Sequence, residues 1–391
     1  MRKKIITSES VCKGHPDKLC DLISDTILDS CLKKDKNSRV ACETLATDGH
    51  IIVAGEITCS KKINIDTIVK EVLLNVGYNP NDYKISVFVH NQSSDIASGV
   101  NIALEVRETE SKKQSELGAG DQGTVFGYAT DETKELLPLS LVKAHAICRQ
   151  IDKCMKDYSI FGIGPDGKAQ VSVEYKGDSP IRISTVVISV QHLKEIDLLE
   201  LKNEIIEKVI KPVFEDFPID INTNILINPS GKFVLGGPSA DTGLTGRKII
   251  VDTYGGVASH GGGAFSGKDP TKVDRSAAYM ARAISKNIVN CRFAKKCQTS
   301  ISYAIGKAEP VALEIKTFGT SGILESVLED LILKTFDLRP SAIIDDLNLR
   351  NVNYSKTATY GHFNNIKNNT WEYFDKSKEL MEMFEKYGNS F

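Results

Sequence analysis

Helical and strand-like patterns of apolar residues alternate in a fixed order along this chain. The first helical pattern spans residues 17–34, where apolar side chains recur with the period of one helix face. Two runs rich in β-branched residues follow, and Asp48-Gly49 between them predicts a hairpin turn. The predicted elements are a helix at 17–34, strands at 39–46 and 51–58, a helix at 65–76 that ends at Gly77, and a strand at 84–90.

The same order of elements recurs twice more. The second set is a helix at 139–158, strands at 169–175 and 182–190, a helix at 198–210 and a strand at 223–227, and the third is a helix at 271–289, strands at 299–305 and 311–318 and a helix at 323–336. This repeat predicts an α+β fold of three structurally similar units, each a mixed β-sheet with helices on one face. We assign the N-terminal unit to 3–101, the central unit to 113–231 and the C-terminal unit to 233–371.

A long polar connection joins the first two units. Residues 91–122 are rich in Ser, Gly, Glu and Lys. Connections of this length inside a compact domain are usually functional lids or disordered inserts. The sequence leaves both possibilities open.

The charge balance limits the kinds of partner. The 391-residue chain has 49 Lys and Arg against 51 Asp and Glu, a net charge of −2. We therefore expect no broad nucleic-acid surface, and any anion site must be local. Nine cysteines without a C-x-x-C spacing predict reduced thiols in a cytoplasmic protein. No apolar run reaches the ~18 residues of a membrane span, so we expect no membrane partner.

A glycine-rich, basic stretch at 236–275 carries the strongest chemical signal. Glycine lets backbone N–H groups approach phosphate oxygens, and Lys and Arg add charge-assisted hydrogen bonds. Asp269 as N-cap and Pro270 at the first helical position predict a helix start, where anions bind readily. We expect a polyphosphate cradle whose cations are Arg247, Lys248, Lys268, Lys272 and Arg275.

This stretch also contains most of a Walker A loop. Gly262 and Gly267-Lys268 have the spacing of that motif, but Asp269 stands where the motif needs a Ser or Thr hydroxyl. A P-loop kinase is therefore disfavoured.

Carboxylates accompany the cations. Asp241 and Asp274 flank the basic residues and could hold a divalent metal that bridges phosphates. His15 and Asp17 stand two residues apart just before the first helix, where His15 is either structural or functional. From Asp17 an aspartate recurs every four residues, at 21, 25 and 29. Like charges repel at this spacing, so we expect a partner for at least one of the four and a solvated face for the rest.

Two glycine-bounded turns place further charges where function concentrates. One carries Asp121, and the other carries Asp166 with Lys168. Asp166-Gly167 alone would be an ordinary turn.

Several longer motifs resemble the S-adenosylmethionine synthetases, or methionine adenosyltransferases, nearly from end to end. They are Ser8-Glu-Ser-Val, Gly14-His-Pro-Asp-Lys18, Gly118-Ala-Gly-Asp-Gln-Gly123, Gly243-Leu-Thr-Gly-Arg-Lys-Ile-Ile-Val-Asp-Thr-Tyr-Gly-Gly256 and Gly261-Gly-Gly-Ala-Phe-Ser-Gly-Lys-Asp-Pro-Thr-Lys-Val-Asp-Arg-Ser276. The resemblance implies three related α+β units, which we expect to be arranged with pseudo-threefold symmetry. It also implies an enzyme of one-carbon metabolism that joins methionine sulfur to C5′ of ATP and hydrolyses the expelled tripolyphosphate to pyrophosphate and phosphate.

The resemblance also implies roles for individual residues. The catalytic group is His15, Lys168, Arg247, Lys248 and Lys268. The ATP positions add Asp121, Asp166, Lys232, Phe233, Asp241 and Ala264, and the methionine positions are Glu56, Gln92, Asp241 and Lys272. Asp17 and Asp274 match magnesium ligands, Glu43 matches a carboxylate linked to potassium, and residues from 91 to about 102 match a mobile loop over the active site.

Family members form homodimers with shared active sites, commonly paired into homotetramers, and the resemblance implies the same here. The rival from another class is a non-catalytic nucleotide-binding paralogue of the same fold. Retention of His15, Lys168, Arg247 and Lys268 argues against it, because binding alone does not need the hydrolytic cations.

Overall fold

The structure is a computed structural model that describes residues 4–93, 102–108, 117–364 and 367–387. Its strands are β1 Lys4–Val11, β2 Arg39–Thr47, β3 His50–Thr58, β4 Lys84–His90, β5 Gly123–Thr130, β6 Ile163–Lys176, β7 Ser179–His192, β8 Asn224–Ile227, β9 Gly243–Leu244, β10 Lys296–Tyr303 and β11 Ala312–Lys316. Its α-helices are α1 Pro16–Lys34, α2 Ile65–Val76, α3 Leu104–Glu108, α4 Leu139–Lys156, α5 Leu198–Ile205, α6 Lys211–Val213, α7 Ile249–Asp252, α8 Val273–Asn290, α9 Glu325–Thr335, α10 Pro340–Asp346, α11 Thr370–Tyr373 and α12 Ser377–Tyr387.

The predicted elements before residue 91 are all present within one residue of their predicted bounds. Gly49 in the predicted hairpin turn has φ 66°, and Gly77 caps α2 with φ 112°. Both backbone conformations favour glycine, so these two turn predictions are confirmed. Further along, the predicted helix at 198–210 is α-helical only to Ile205 and continues as a π-helix over Ile206–Ile210.

The helix predicted with Asp269 as N-cap and Pro270 as its first residue begins three residues later, at Val273, with Lys272 as its N-cap. Asp269 is fully buried, and its carboxylate accepts hydrogen bonds from the backbone N–H groups of Val40 at 2.7 Å and Thr271 at 2.9 Å. The prediction of Asp269 as an N-cap beside an anion site is therefore wrong. Its carboxylate attaches the glycine-rich stretch to β2 instead.

Three sheets form the framework, and each contains one strand from a distant part of the chain. Their strand orders are β1-β6-β7-β8, β4-β3-β2-β9 and β11-β10-β5. The N-terminal strand β1 pairs with β6, β5 pairs with β10, and β9 pairs with β2. The predicted unit boundaries and the pseudo-threefold arrangement stay predictions.

The first two sheets are mixed, because each contains one parallel pair, β7 with β8 or β3 with β4. The third sheet is antiparallel throughout the residues that the structure describes. The prediction of a mixed sheet is wrong for this third sheet. Helix α9 is followed there by helix α10, and no strand within the described residues returns to pair in parallel with β11.

Helices pack against these sheets and bury their apolar faces. Helix α1 contacts β2, α4 contacts β6 and β1, and α8 contacts β5 and β10. On β5 the helix comes close enough that a Cβ on Gly127 would lie 2.0 Å from the carbonyl oxygen of Ala281. This position therefore requires glycine. Two buried apolar clusters result, one in the β1-β6-β7-β8 layer and a larger one beneath the other two sheets.

The nine cysteines are all free in this structure, and seven of them are buried. Among the described residues no helix has both the length and the apolar character that a membrane crossing requires.

His145 joins α4 to strand β1 inside the protein. It is 6% exposed, and its Nδ1 lies 2.8 Å from the hydroxyl oxygen of Ser10. Burial and the nearby Arg149 guanidinium lower the pKa of His145 to about 3. The imidazole is therefore neutral in the folded state over the ordinary pH range.

Acid should weaken the protein through His145. Below pH ~6.5 the unfolded chain binds a proton that the folded chain does not, so this contribution to stability is lost as pH falls. Relative to a His145→Gln variant, we expect the free energy of unfolding of the wild type to fall by about 1.4 kcal/mol between pH 7.5 and 5.5. Urea titrations at both pH values measure this difference, and an identical pH dependence of the two proteins would contradict it.

Candidate active site

The N-terminus of helix α1 positions His15. Pro16 opens the helix, and His15 is the N-cap, 2% exposed, with Nδ1 accepting the N–H of Asp17 at 3.2 Å. The preceding loop lies against β6, because Gly14 donates its N–H to the carbonyl oxygen of Pro165 at 3.1 Å. A Cβ on Gly14 would be 2.5 Å from Pro165, so the motif needs glycine here.

Two cations of the glycine-rich stretch meet Asp17. The Lys248 ammonium is 2.6 Å from its Oδ2, and the Nε of Arg247 is 3.7 Å from its Oδ1. Burial raises the pKa of Asp17, but the contacts with Lys248 and with the Leu244 N–H outweigh it and hold this pKa below its usual range. Asp17 is therefore an anion at neutral pH.

The same environment keeps His15 neutral. Burial, followed by the positive charges of Lys248 and Lys168, lowers the pKa of His15 to about 3. Because Nδ1 accepts the Asp17 N–H, the ring proton is on Nε2. His15 therefore offers one N–H donor and no positive charge.

The four aspartates on α1 form a row of hydrogen-bond acceptors, which we call the aspartate row. Their partners include the backbone N–H groups of Leu244 for Asp17 at 3.0 Å, Gly246 for Asp21 at 2.8 Å, Gly267 for Asp25 at 2.9 Å, and Tyr354 and Ser355 for Asp29 at 2.6 and 2.9 Å. Asp25 also pairs with the Arg275 guanidinium through two contacts of 2.8 Å. The prediction of a solvated face is wrong, because loop amides use these carboxylates as partners.

A second group of predicted residues lines a cavity of about 350 Å³. The cavity wall includes Glu56, Gln92, Asp121, Lys268, Lys272 and Asp274. The Lys268 ammonium is 2.6 Å from Asp274, and that of Lys272 is 2.6 Å from Asp269. Across the β3–β4 pair, the Nε2 of His90 lies 3.2 Å from the Glu56 carboxylate.

Asp166 and its neighbours lie on the His15 side. Asp166 is 6% exposed, and its Oδ2 accepts the Gly237 N–H at 2.8 Å. Its buried Oδ1 has no hydrogen-bond partner within the described part of the chain. Burial raises the pKa of Asp166, and the nearby Lys168 opposes that shift. Asp166 therefore has one acceptor oxygen available for a ligand.

The remaining predicted residues are distributed around these groups. The Phe233 N–H donates to the Nε2 of His192 at 3.0 Å, while Lys232 and Asp241 are exposed. Ala264 is in contact with the neighbouring loop, since a Cβ on Gly246 would lie 2.6 Å from its methyl group. Partial burial and the Glu56 charge raise the pKa of Glu43 on β2.

Most of the predicted residues thus fall into two groups that the glycine-rich loops connect. The first, the His15 group, is His15, Asp17, Asp166, Lys168, Arg247 and Lys248. The second, the cavity group, is Glu56, Gln92, Asp121, Lys268, Lys272 and Asp274. The predicted lid, from residue 91 to about 102, lies largely outside the described residues, which include only 91–93 and 102 of it.

The carboxylates do not form a preassembled metal cage. In the described ranges no three His, Cys, Asp or Glu residues are grouped as a metal site would require, and Asp17 and Asp274 each contact a lysine. This donor set still fits magnesium, which binds through one or two carboxylates together with substrate phosphates.

Lys18 and Asp252 are not among the site residues that the sequence predicted. Lys18 is buried between Asp21 and Asp252, next to the His15 group. A lysine within a helix face that is otherwise apolar and acidic was the available signal. Its partner Asp252, in the glycine-rich stretch, could not be identified without the fold.

Comparison with known proteins assigns the family. Models of the N-terminal, central and C-terminal domains of S-adenosylmethionine synthetase match residues 3–98, 116–233 and 235–373. The S-adenosylmethionine synthase of Desulforudis audaxviator is 51% identical over 97% of this chain and 98% of its own length. That of Pseudothermotoga lettingae is 51% identical over 98% and 99%, and that of Finegoldia magna 49% over 97% and 99%. From its N-terminal to its C-terminal unit, this chain belongs to the S-adenosylmethionine synthetase family.

Proposed function

We propose that this protein makes S-adenosylmethionine from ATP and L-methionine and then hydrolyses the tripolyphosphate to pyrophosphate and phosphate. One observation carries the proposal beyond family membership. The α1 N-terminus holds a neutral His15 and an anionic Asp17 against the cations Arg247 and Lys248. This combination suits a reaction whose leaving group is a polyanion.

The chemistry needs electrostatic stabilisation more than proton transfer. When the methionine sulfur forms its bond to C5′, the C5′–O bond breaks and the tripolyphosphate leaves with the electron pair. Lys168, Arg247, Lys248 and Lys268 supply positive charge to hold this product. Preorganised charges in a site shielded from water are usually the largest contribution to such catalysis.

His15 acts in this scheme as a neutral hydrogen-bond donor. Burial and the charges of Lys248 and Lys168 lower its pKa to about 3, so the imidazole is neutral near neutral pH in the ligand-free protein. The Nε2–H group would donate to the oxygen that leaves C5′, where negative charge develops. The Asp17 N–H keeps Nδ1 occupied and so maintains this tautomer.

The remaining residues bind the two substrates. The Oδ1 of Asp166, which has no hydrogen-bond partner among the described residues, would accept a ribose hydroxyl. Asp121 would lie at the nucleoside, and Lys232, Phe233 and Ala264 would lie around ATP. Glu56 of the cavity group, together with Asp241 outside it, would bind the methionine ammonium. Gln92 and Lys272 would bind the polar groups at the ends of the methionine.

Two kinds of metal ion complete the proposal. Asp17 and Asp274 would hold magnesium, which neutralises phosphate charge when bound. We assign potassium to Glu43. Partial burial and the negative charge of Glu56 raise the pKa of this carboxyl, and a nearby cation would stabilise its ionised form.

We also propose a cytoplasmic homodimer with shared active sites, paired further into a homotetramer. The division of the predicted residues between two groups supports a site that needs a second subunit. Phe88 and Val87 on β4, 65% and 43% exposed, provide apolar area for such contacts.

The direct test is product formation. The purified protein, incubated with ATP, methionine, Mg²⁺ and K⁺, should yield S-adenosylmethionine, pyrophosphate and phosphate in equal amounts by mass spectrometry and phosphate assays. A non-catalytic paralogue would bind ATP and give none of these products. A kinase would give ADP.

Magnesium dependence should identify the proposed metal ligands. Asp17→Asn and Asp274→Asn should each lower the rate by about a hundredfold or more and raise the Mg²⁺ concentration needed for half-maximal rate. Asp178→Asn is the matched control, since Asp178 pairs with Lys296 at 2.6 Å just as Asp274 pairs with Lys268. Unchanged magnesium dependence in both ligand variants would rule out this assignment.

The two chemical steps should respond to different residues. His15→Asn should slow S-adenosylmethionine formation about a hundredfold, while added tripolyphosphate is still hydrolysed. Arg247→Leu should impair tripolyphosphate hydrolysis at least as much as synthesis, because water cannot replace a bidentate guanidinium contact in a closed site.

Single-turnover assays of each step measure the difference. Arg182→Leu is the control, because Arg182 pairs with Asp220 and Glu174 away from both groups. If His15→Asn and Arg247→Leu slow both steps by one common factor, the proposed division of roles fails.

A further inference from the structure

A buried lysine connects helix α1 to the segment that carries the phosphate-binding cations. The Lys18 side chain is 1% exposed and directly follows Asp17. Its Nζ donates to Oδ2 of Asp21 at 2.6 Å and to Oδ1 of Asp252. Because Asp252 ends helix α7, this contact ties α7 to α1. We call the three residues the Lys18 bridge.

The far end of the Lys18 bridge determines where Lys248 lies. Lys248 is the N-cap of α7, and the Asp252 N–H donates to its carbonyl oxygen at 2.9 Å. One turn of helix therefore separates Asp252 from the backbone of Lys248. Arg247 directly precedes Lys248 in the chain. A displacement of Asp252 would move both cations.

The near end holds the other side of the same loop. Asp21 accepts the Gly246 N–H through Oδ1 while its Oδ2 accepts the Lys18 ammonium. Arg247 and Lys248 thus lie between two attachment points, one at Gly246 and one at Asp252. Both attachments depend on carboxylates that Lys18 neutralises.

The charges explain why the bridge is sensitive to the loss of Lys18. The side chains of Asp21 and Asp252 are 0% and 4% exposed. Without the ammonium between them, the two buried carboxyls would either face each other as uncompensated charges or take up a proton. In both cases the donor that joins Asp252 to Asp21 is lost, which would free α7 from α1 and let the cations move away from Asp17.

We propose that Lys18 is a positioning residue that acts through Asp252 to hold Arg247 and Lys248 at the phosphates. Lys18 itself is too buried to touch a substrate. This inference rests on the proposed function.

The test uses two variants and two substrates. Lys18→Met removes the charge, and Asp252→Asn keeps the shape and one acceptor oxygen while removing its negative charge. Each should raise KM for ATP and for tripolyphosphate by about tenfold or more, the loss expected when charge-assisted phosphate contacts are displaced. KM for methionine should change much less, because its proposed ligands Glu56, Gln92 and Lys272 lie in the cavity group and do not contact the bridge.

A matched control separates positioning from general destabilisation. Lys286 is also a largely buried lysine, 11% exposed, and its Nζ lies 2.9 Å from the Glu372 carboxylate. Lys286→Met should lower thermal stability and leave KM for ATP and KM for tripolyphosphate unchanged. Circular dichroism establishes which variants are folded, and Asp252→Asn decides the question if Lys18→Met does not fold.

The outcomes distinguish the two proposals. Absence of S-adenosylmethionine with the wild-type chain would reject the proposed function, and this inference with it. Product formation by the wild type together with an unchanged KM for ATP in folded Asp252→Asn would overturn the inference alone. A fall in kcat without a change in KM, in the bridge variants and the control alike, would also overturn it by indicating a purely structural role.

Discussion

The hydrogen bonds between the aspartate row of α1 and the backbone of the glycine-rich loops are the constraint on which the rest of the structure depends. Those loops have almost no regular secondary structure, so their N–H groups need other acceptors. Buried carboxylates, in turn, need donors. Leu244, Gly246 and Gly267 supply such donors from the glycine-rich loops. One helix face thereby orders the loops that carry the proposed catalytic cations.

Buried ion pairs extend this order into the core. Asp25 with Arg275, and Arg282 with Glu372, are fully buried pairs with more than one contact each. Such pairs contribute little net stability compared with apolar packing, but leaving one partner unpaired is costly. Alternative loop positions are therefore strongly disfavoured. A site that acts through preorganised charge benefits from that rigidity.

The sequence predicted the regular elements whose signals are local, but it did not predict strands β1 and β5. Apolar periodicity located α1 and α2, and Asp48-Gly49 located the hairpin turn. The motifs also led to the residues that the structure collects into the His15 group and the cavity group. Their roles stay predictions.

What the sequence could not provide is information about distant partners. Asp269 has the features of a helix N-cap, yet the amide of Val40 in β2 uses its carboxylate. The aspartates of α1 look solvated in isolation, and their partners lie more than two hundred residues away. The sequence also could not show which sheet β1 and β5 join, because nothing within either strand identifies its distant partner strand.

The separation between α1 and its partners has a consequence for synthesis on the ribosome. The backbone donors to Asp17, Asp25 and Asp29 come 227, 242 and 325 positions later in the chain. Until those residues emerge, the nascent helix carries carboxylates without their native donors and must keep them hydrated. Long-range contacts of this kind delay the cooperative step of folding. The residues translated first can therefore reach their final environment only after nearly the whole polypeptide has been made.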